Sequence, residues 1–286
     1  PGTKRVERDE DEMDECETID DFTIKVPQAL GAPARTIDQL QSCQAMKNLG
    51  VYTPPKGNCE PQFAAMQDKV DDWTTKMKAG GLPARSAWLS YQCQLWSALK
   101  YGIGASPATM KQLEKGLGTR DHKILSMLGI CRSIDKPWRY LPHCFGGMGL
   151  HSLPIEAPIG SINAFLQHYG TETAMGLYLR ASLENLQLEL GVSGCPFKYD
   201  FKVWGGLATK SWVRSLWERI HRFNIKIDLD YDALPMPRER DECIMERFVR
   251  EKVAGKELVS INRVRKHQQA LFLSDIVSAN GRTIEE

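Results

Sequence analysis

No window of the 286 residues comes near eighteen consecutive apolar positions, so the sequence offers no helix able to cross a bilayer, and no membrane partner is expected. The eight cysteines (16, 43, 59, 93, 131, 144, 195 and 243) contain no Cys-x-x-Cys pair. That spacing excludes a zinc ribbon and a dense disulfide framework, and it points to reduced, intracellular thiols in nucleus or cytoplasm. A signal-peptide pattern is missing, and a chain starting at Pro1 reads as a fragment or a processed piece. No period of roughly 20–50 residues repeats, which sets solenoids aside. Nucleophile–base signatures are absent too, and His143, Cys144 and His151 lack further ligands at metal-binding spacing.

What is present is enough apolar material for a sizeable core, 42% of the chain, in one large or two small domains. The net charge of +1 hides an asymmetry. Residues 1–22 carry three basic and ten acidic side chains, whereas the rest carries 34 basic and 26 acidic. Residues 1–21 have little to bury and repel one another, so they read as an acidic disordered lead. A mildly basic body behind such a lead is compatible with a nucleic-acid partner.

Residues 22–57 read as a small antiparallel β segment. Phe22-Thr23-Ile24-Lys25-Val26 alternates and stops at Pro27, and Ala34–Ile37 returns as a second strand. Gln44–Thr53 then reads as one extended strand that hands the chain to helices. From Pro61 the pattern changes to a helical period. Phe63, Met66, Val70, Trp73 and Met77 are spaced 3, 4, 3 and 4, which puts them on one face. Gly80-Gly81-Leu82-Pro83 ends that helix and opens the next, which runs to about Tyr101, so the two should pair as an antiparallel hairpin with an aromatic packing seam. Ser106-Pro107 is expected to cap a helix through Leu113. Further helices are expected at about 122–130, 156–169, 172–190, 209–223, 238–253 and 256–270. Ile225–Leu229 reads as a short strand, Leu271–Val277 as a buried strand or helix end, and Asn280-Gly281 as a turn. The glycines of Phe145-Gly146-Gly147-Met148-Gly149-Leu150 read as a structural turn, since neither the strand–helix context nor the Lys-Ser/Thr of a phosphate loop surrounds them.

Lys47-Asn48-Leu49-Gly50-Val51, the helices that follow and the glycine turn together resemble the C-terminal part of a retroelement, non-LTR-like reverse transcriptase. In that family a Lys-x-Leu-Gly primer grip closes the palm and leads into a helical thumb. Thumb-like features here are Lys69 and Trp73, the stretch Trp88–Tyr101, Leu125-x-x-Leu128-Gly129 and the turn Gly146-Gly147-Met148-Gly149-Leu150. The resemblance covers about residues 40–155 and implies a mainly α protein: a palm remnant (22–57), a thumb-like domain (58–155) and a helical C-terminal extension (156–286). It implies an RNA or RNA–DNA hybrid duplex as partner, with Lys47, Gly50 and Tyr52 nearest the primer and Lys69 on the duplex side.

The catalytic apparatus of that family does not appear. Paired palm aspartates that hold two Mg ions belong in a hairpin well before the grip, and Ile19-Asp20-Asp21-Phe22 follows an acidic run and sits too near Lys47. No cofactor is expected in this chain, and polymerisation by it alone is not expected. Independently, Lys210, Arg214 and Arg222 recur at four-residue steps beside His221 and Arg219, and Arg263, Arg265 and Lys266 form a second cluster, as residues that track phosphates would. Two other readings fit the same residues: a degenerate or domesticated helical interaction module, and a stand-alone helical nucleic-acid-binding protein.

Overall fold

The computed structural model describes residues 23–26, 35–38, 45–48, 51–53, 57–229, 231 and 241–276. The acidic lead, the Asp20-Asp21 pair, Gly50 and the Asn280-Gly281 turn lie outside them. The chain divides into two compact units, residues 1–58 and 59–286. Among the described residues the fold is mainly helical with small antiparallel β pairs, and no helix is long and apolar enough to cross a membrane.

In the first unit, β1 (Thr23–Val26) pairs antiparallel with β2 (Arg35–Asp38), Thr23 opposite Asp38 and Val26 opposite Arg35. The stretch expected to be one extended strand is instead folded back on itself. β3 (Met46–Asn48) pairs with β4 (Val51–Thr53), and the register Asn48 opposite Val51 leaves only Leu49 and Gly50 between the strands.

In the second unit, α1 (Glu60–Gly80) buries the expected stripe, Phe63, Met66, Val70 and Trp73, and ends where Gly81 turns left-handed at φ 54°. α2 (Ala84–Ser90) passes through a π-turn (Tyr91–Trp96) into α3 (Ser97–Lys100) without a break. The pairing with α1 is antiparallel: Trp73 Nε1 donates to Ser90 Oγ at 2.9 Å, and Lys69 Nζ to the Ala98 carbonyl at 3.1 Å. The aromatic seam is a packing seam, with Trp73 and Trp88 both edge-on to the buried Tyr91.

α4 (Met110–Lys115) does not begin at Ser106-Pro107. Thr109 and Gln112 form a capping box that satisfies two orphan amides at once, while the buried Ser106 hydroxyl donates to Cys59 Sγ at 3.4 Å. α5 (Arg120–Met127) and α6 (Lys136–Tyr140) complete a first apolar core around Met66, Tyr91, Leu99, Leu113 and Leu125. In the turn that follows, a Cβ on Gly147 would lie 2.0 Å from the Leu141 carbonyl oxygen, so a side chain there is excluded.

α7 (Leu153–His168) enters that first core with Leu153 and Ala157 and a second core with Phe165. α8 (Ala174–Leu190), α9 (Phe201–Trp204), α10 (Trp212–Arg222), α11 (Ile244–Arg250) and α12 (Gly255–Gln268) build the second core around Leu183, Leu190, Trp217 and Met245. The expected domain division at 155/156 therefore falls inside α7, a helix shared by both cores. Residues 225–229 are not a strand: among the described residues no strand pairs with them, and Ile227 and Leu229 pack on the second core instead. Leu271–Ile276 contributes one bridge, Phe272 to Cys243, before a 3-10 turn.

Candidate nucleic-acid interface

The β3–β4 register puts Lys47 directly opposite Tyr52, so both side chains leave the same face of the hairpin. The Lys47 ammonium stands 5.7 Å from the centroid of the Tyr52 ring, which holds the exposed cation over an aromatic face. Two of the three expected primer-side residues are thus brought together.

On the second unit the basic residues divide by helical phase. α10 starts after Ser211, whose side chain accepts from the Arg214 amide, so Lys210 precedes the helix and is exposed. Arg222 is exposed and lies 3.6 Å from Glu114. Arg214 turns back on its own unit, with Nε donating to the Gly205 carbonyl at 3.0 Å and its guanidinium 5.3 Å from the Phe201 ring. Lys69 keeps its head at the end of the α2–α3 helix, where unsatisfied carbonyls favour a cation.

Arg219 is no surface charge. It is 0% exposed, and Nη2 donates to the carbonyls of Ser106 and Ala108, both at 2.9 Å. Burial lowers its pKa to about 10, which still leaves it charged near neutral pH. Around it Trp212 Nε1 donates to the Gly104 carbonyl at 2.9 Å, Ser215 Oγ donates to the Pro107 carbonyl at 2.6 Å, and Glu218 accepts from the Met110 amide at 3.4 Å. One face of α10 therefore grips the backbone of 104–110.

In α12 the buried positions are Leu258, Asn262 and Arg265, spaced 4 and 3, and the exposed ones include Arg263, Lys266 and His267. Arg265, expected among the phosphate-tracking residues, is 5% exposed and is withdrawn from any surface. Its Nη2 donates to the carbonyls of Leu188 and Glu189 at 2.8 and 2.7 Å, closing the C-terminus of α8. The next helix-ending residue is Gly191, φ 70°, where a Cβ would stand 2.6 Å from the guanidinium, so glycine makes room for the arginine.

Two features escaped sequence reasoning. A groove of about 1180 Å³ lies among α7, α8, the turn Tyr101–Ala105 and the start of α10, with Tyr101, Ile159, Met175 and Tyr178 exposed along it. On the segment 131–150, Trp138 and Phe145 are 51% and 70% exposed. The available signal was that both rings stand in a Pro/Gly-rich stretch with no helical phase partner to cover them. Among the described residues no three His, Cys, Asp or Glu side chains converge, and no side chain is assigned to a metal. His143 Nδ1 is 3.1 Å from the Gly147 carbonyl oxygen, and His151 Nδ1 is 2.9 Å from Glu156. No family model, no curated protein and no solved structure matches this chain.

Proposed function

We propose that the chain is the part of a retroelement RNA-directed DNA polymerase that holds primer and template, with catalysis supplied by palm aspartates that these residues do not provide. One observation carries this reading: Lys47 and Tyr52 form a cross-strand cation–ring pair on the hairpin whose connection is the Leu49-Gly50 of the Lys-x-Leu-Gly motif. An exposed cation held over a ring on a two-stranded hairpin presents a positive charge that a phosphate can meet. Exposed Lys210, Arg222, Arg263 and Lys266 supply sequence-independent attraction to a polyanion. No metal step is assigned to these residues; Mg would act in the palm.

Titration of the 286-residue chain with an RNA–DNA hybrid at two salt concentrations tests the reading. The expected result is an affinity that falls steeply with salt, by about 0.9 logarithmic units per phosphate contact per decade of salt. Lys47→Ala is expected to weaken binding to a recessed primer end several-fold and to leave the melting temperature unchanged. An affinity indifferent to salt, or a Lys47→Ala chain that binds as tightly as the parent, overturns it. A helical interaction module with no nucleic-acid role is the second reading, and the observation favouring it is the apolar groove. It predicts no hybrid binding at any salt.

A further inference from the structure

The segment 131–150 is bound to itself more tightly than a connecting loop requires. Four backbone amides close it: Gly147 to Pro142 at 3.2 Å, and Met148 to Trp138, Gly149 to Leu141 and Leu150 to Arg139, each at 2.9 Å. Arg139, 7% exposed, anchors the base by donating to the carbonyls of Ile134 and Arg132, both at 2.8 Å. A backbone so held loses little freedom when something binds to it. Yet it leaves Trp138 and Phe145, two of the costliest side chains to leave in water, about half and more than two thirds exposed.

Cations share the loop. Arg132 and Lys136 are exposed, with the exposed Asp135 next to Lys136 in sequence and the half-buried Asp121 near enough to Lys136 for their charges to interact. Exposed flat rings among exposed cations match a partner made of flat rings joined by anionic links. A rigid duplex hides its base faces, whereas a single strand offers them for stacking.

We infer that the loop bearing Arg132, Lys136, Trp138 and Phe145 is a stacking platform for single-stranded nucleic acid. It deepens the polymerase reading, resting on it for the identity of the polymer, and adds an element that handles unpaired rather than duplex strands. Rings supply sequence-tolerant contact and the cations follow the backbone.

The test compares a short single-stranded RNA or DNA of mixed sequence with a blunt RNA–DNA hybrid, read by fluorescence anisotropy on the full chain. Trp138→Ala and Phe145→Ala are each expected to weaken single-strand binding on the order of ten-fold, with hybrid binding changed by less than about two-fold. Trp138→Leu and Phe145→Leu keep an apolar side chain but remove the stacking face, so they should show the same loss while the protein melts as the parent does. Lys136→Gln should lower the salt slope for single strands by about 0.7. Unchanged single-strand binding in the ring variants overturns the inference, and so does an equal loss for both polymers. Ring-dependent binding to anionic lipid vesicles without ring-dependent single-strand binding overturns it as well. Ring-dependent single-strand binding in a chain that ignores the hybrid would sink the polymerase reading and leave the platform standing; salt-sensitive hybrid binding with no ring dependence does the reverse.

Discussion

Exposed Cys131 keeps its sulfur 2.9 Å from the Ser133 hydroxyl, and hydrogen bonds from Ser133 pull the thiol pKa down. The thiolate is the reactive form. Alkylation of Cys131 near neutral pH, followed by peptide mass spectrometry, should therefore slow in Ser133→Ala, and an unchanged rate would refute the assignment. Asp71 shows the same logic for stability. Hydrogen bonds and charge from Lys123 first, and then Arg120, hold its carboxyl below the usual range, with contacts of 2.5 and 3.0 Å. A folded-state pKa lowered in this way adds stability above the unfolded value near pH 4, and that stability is lost as pH falls through the lower folded value. Asp71→Asn should thus cost a modest amount at pH 7, under about 1 kcal/mol for so exposed a network. Urea titrations should show the gap between parent and variant closing towards pH 3. A gap that persists at pH 3 would place the effect in packing instead.

At the scale of elements, α10 and α12 show why charge alone misleads. Arg219 follows Trp212 by seven residues and Leu216 by three, and Arg265 follows Leu258 by seven, so both stand on the inward face by helical phase. The phase was legible in the sequence; what was not legible is that backbone carbonyls of 106–108 and 188–189 waited there to receive the guanidinium groups. α1 was legible because its 3-4-3-4 apolar spacing has one interpretation, whereas the π-turn at Tyr91–Trp96 inserts an extra residue per turn without leaving a sequence mark. The hairpin at Lys47–Tyr52 was missed because a two-residue reversal and a continuous strand share the same alternation. Truncating Arg219 to Ala should cost about 2–4 kcal/mol, since two buried carbonyls lose their donor and a cavity opens. Thermal melting is the measurement. A change within about 0.5 kcal/mol would show that the grip on 104–110 carries no weight.

Over the whole second unit, two apolar cores are joined by α7, which places Ala157 in one and Phe165 in the other, both 0% exposed. Helix sharing of this kind couples their unfolding. Phe165→Ala should destabilise by about 3–5 kcal/mol, and hydrogen exchange should show amides around Tyr91 and Leu125 losing protection together with those around Leu183 and Trp217. Loss confined to the second core would mean that residues 59–286 fold as two independent parts. The proposed single-strand platform and the exposed Arg222, Arg263 and Lys266 belong to this one unit, so their relative placement is as fixed as the cores allow.

The grip of α10 on residues 104–110 also bears on how such a chain can be rearranged by recombination. Its donors, from Trp212, Ser215 and Arg219, address carbonyls rather than side chains, more than a hundred residues away in sequence. Sequence identity in the recipient loop is therefore almost irrelevant, but its backbone path is not: the Cβ of any residue replacing Gly104 would come within 3.0 Å of the Gly160 backbone. A C-terminal half exchanged between related chains at residue 155 would be accepted wherever that glycine-bearing turn keeps its course and rejected where a single residue is inserted in it.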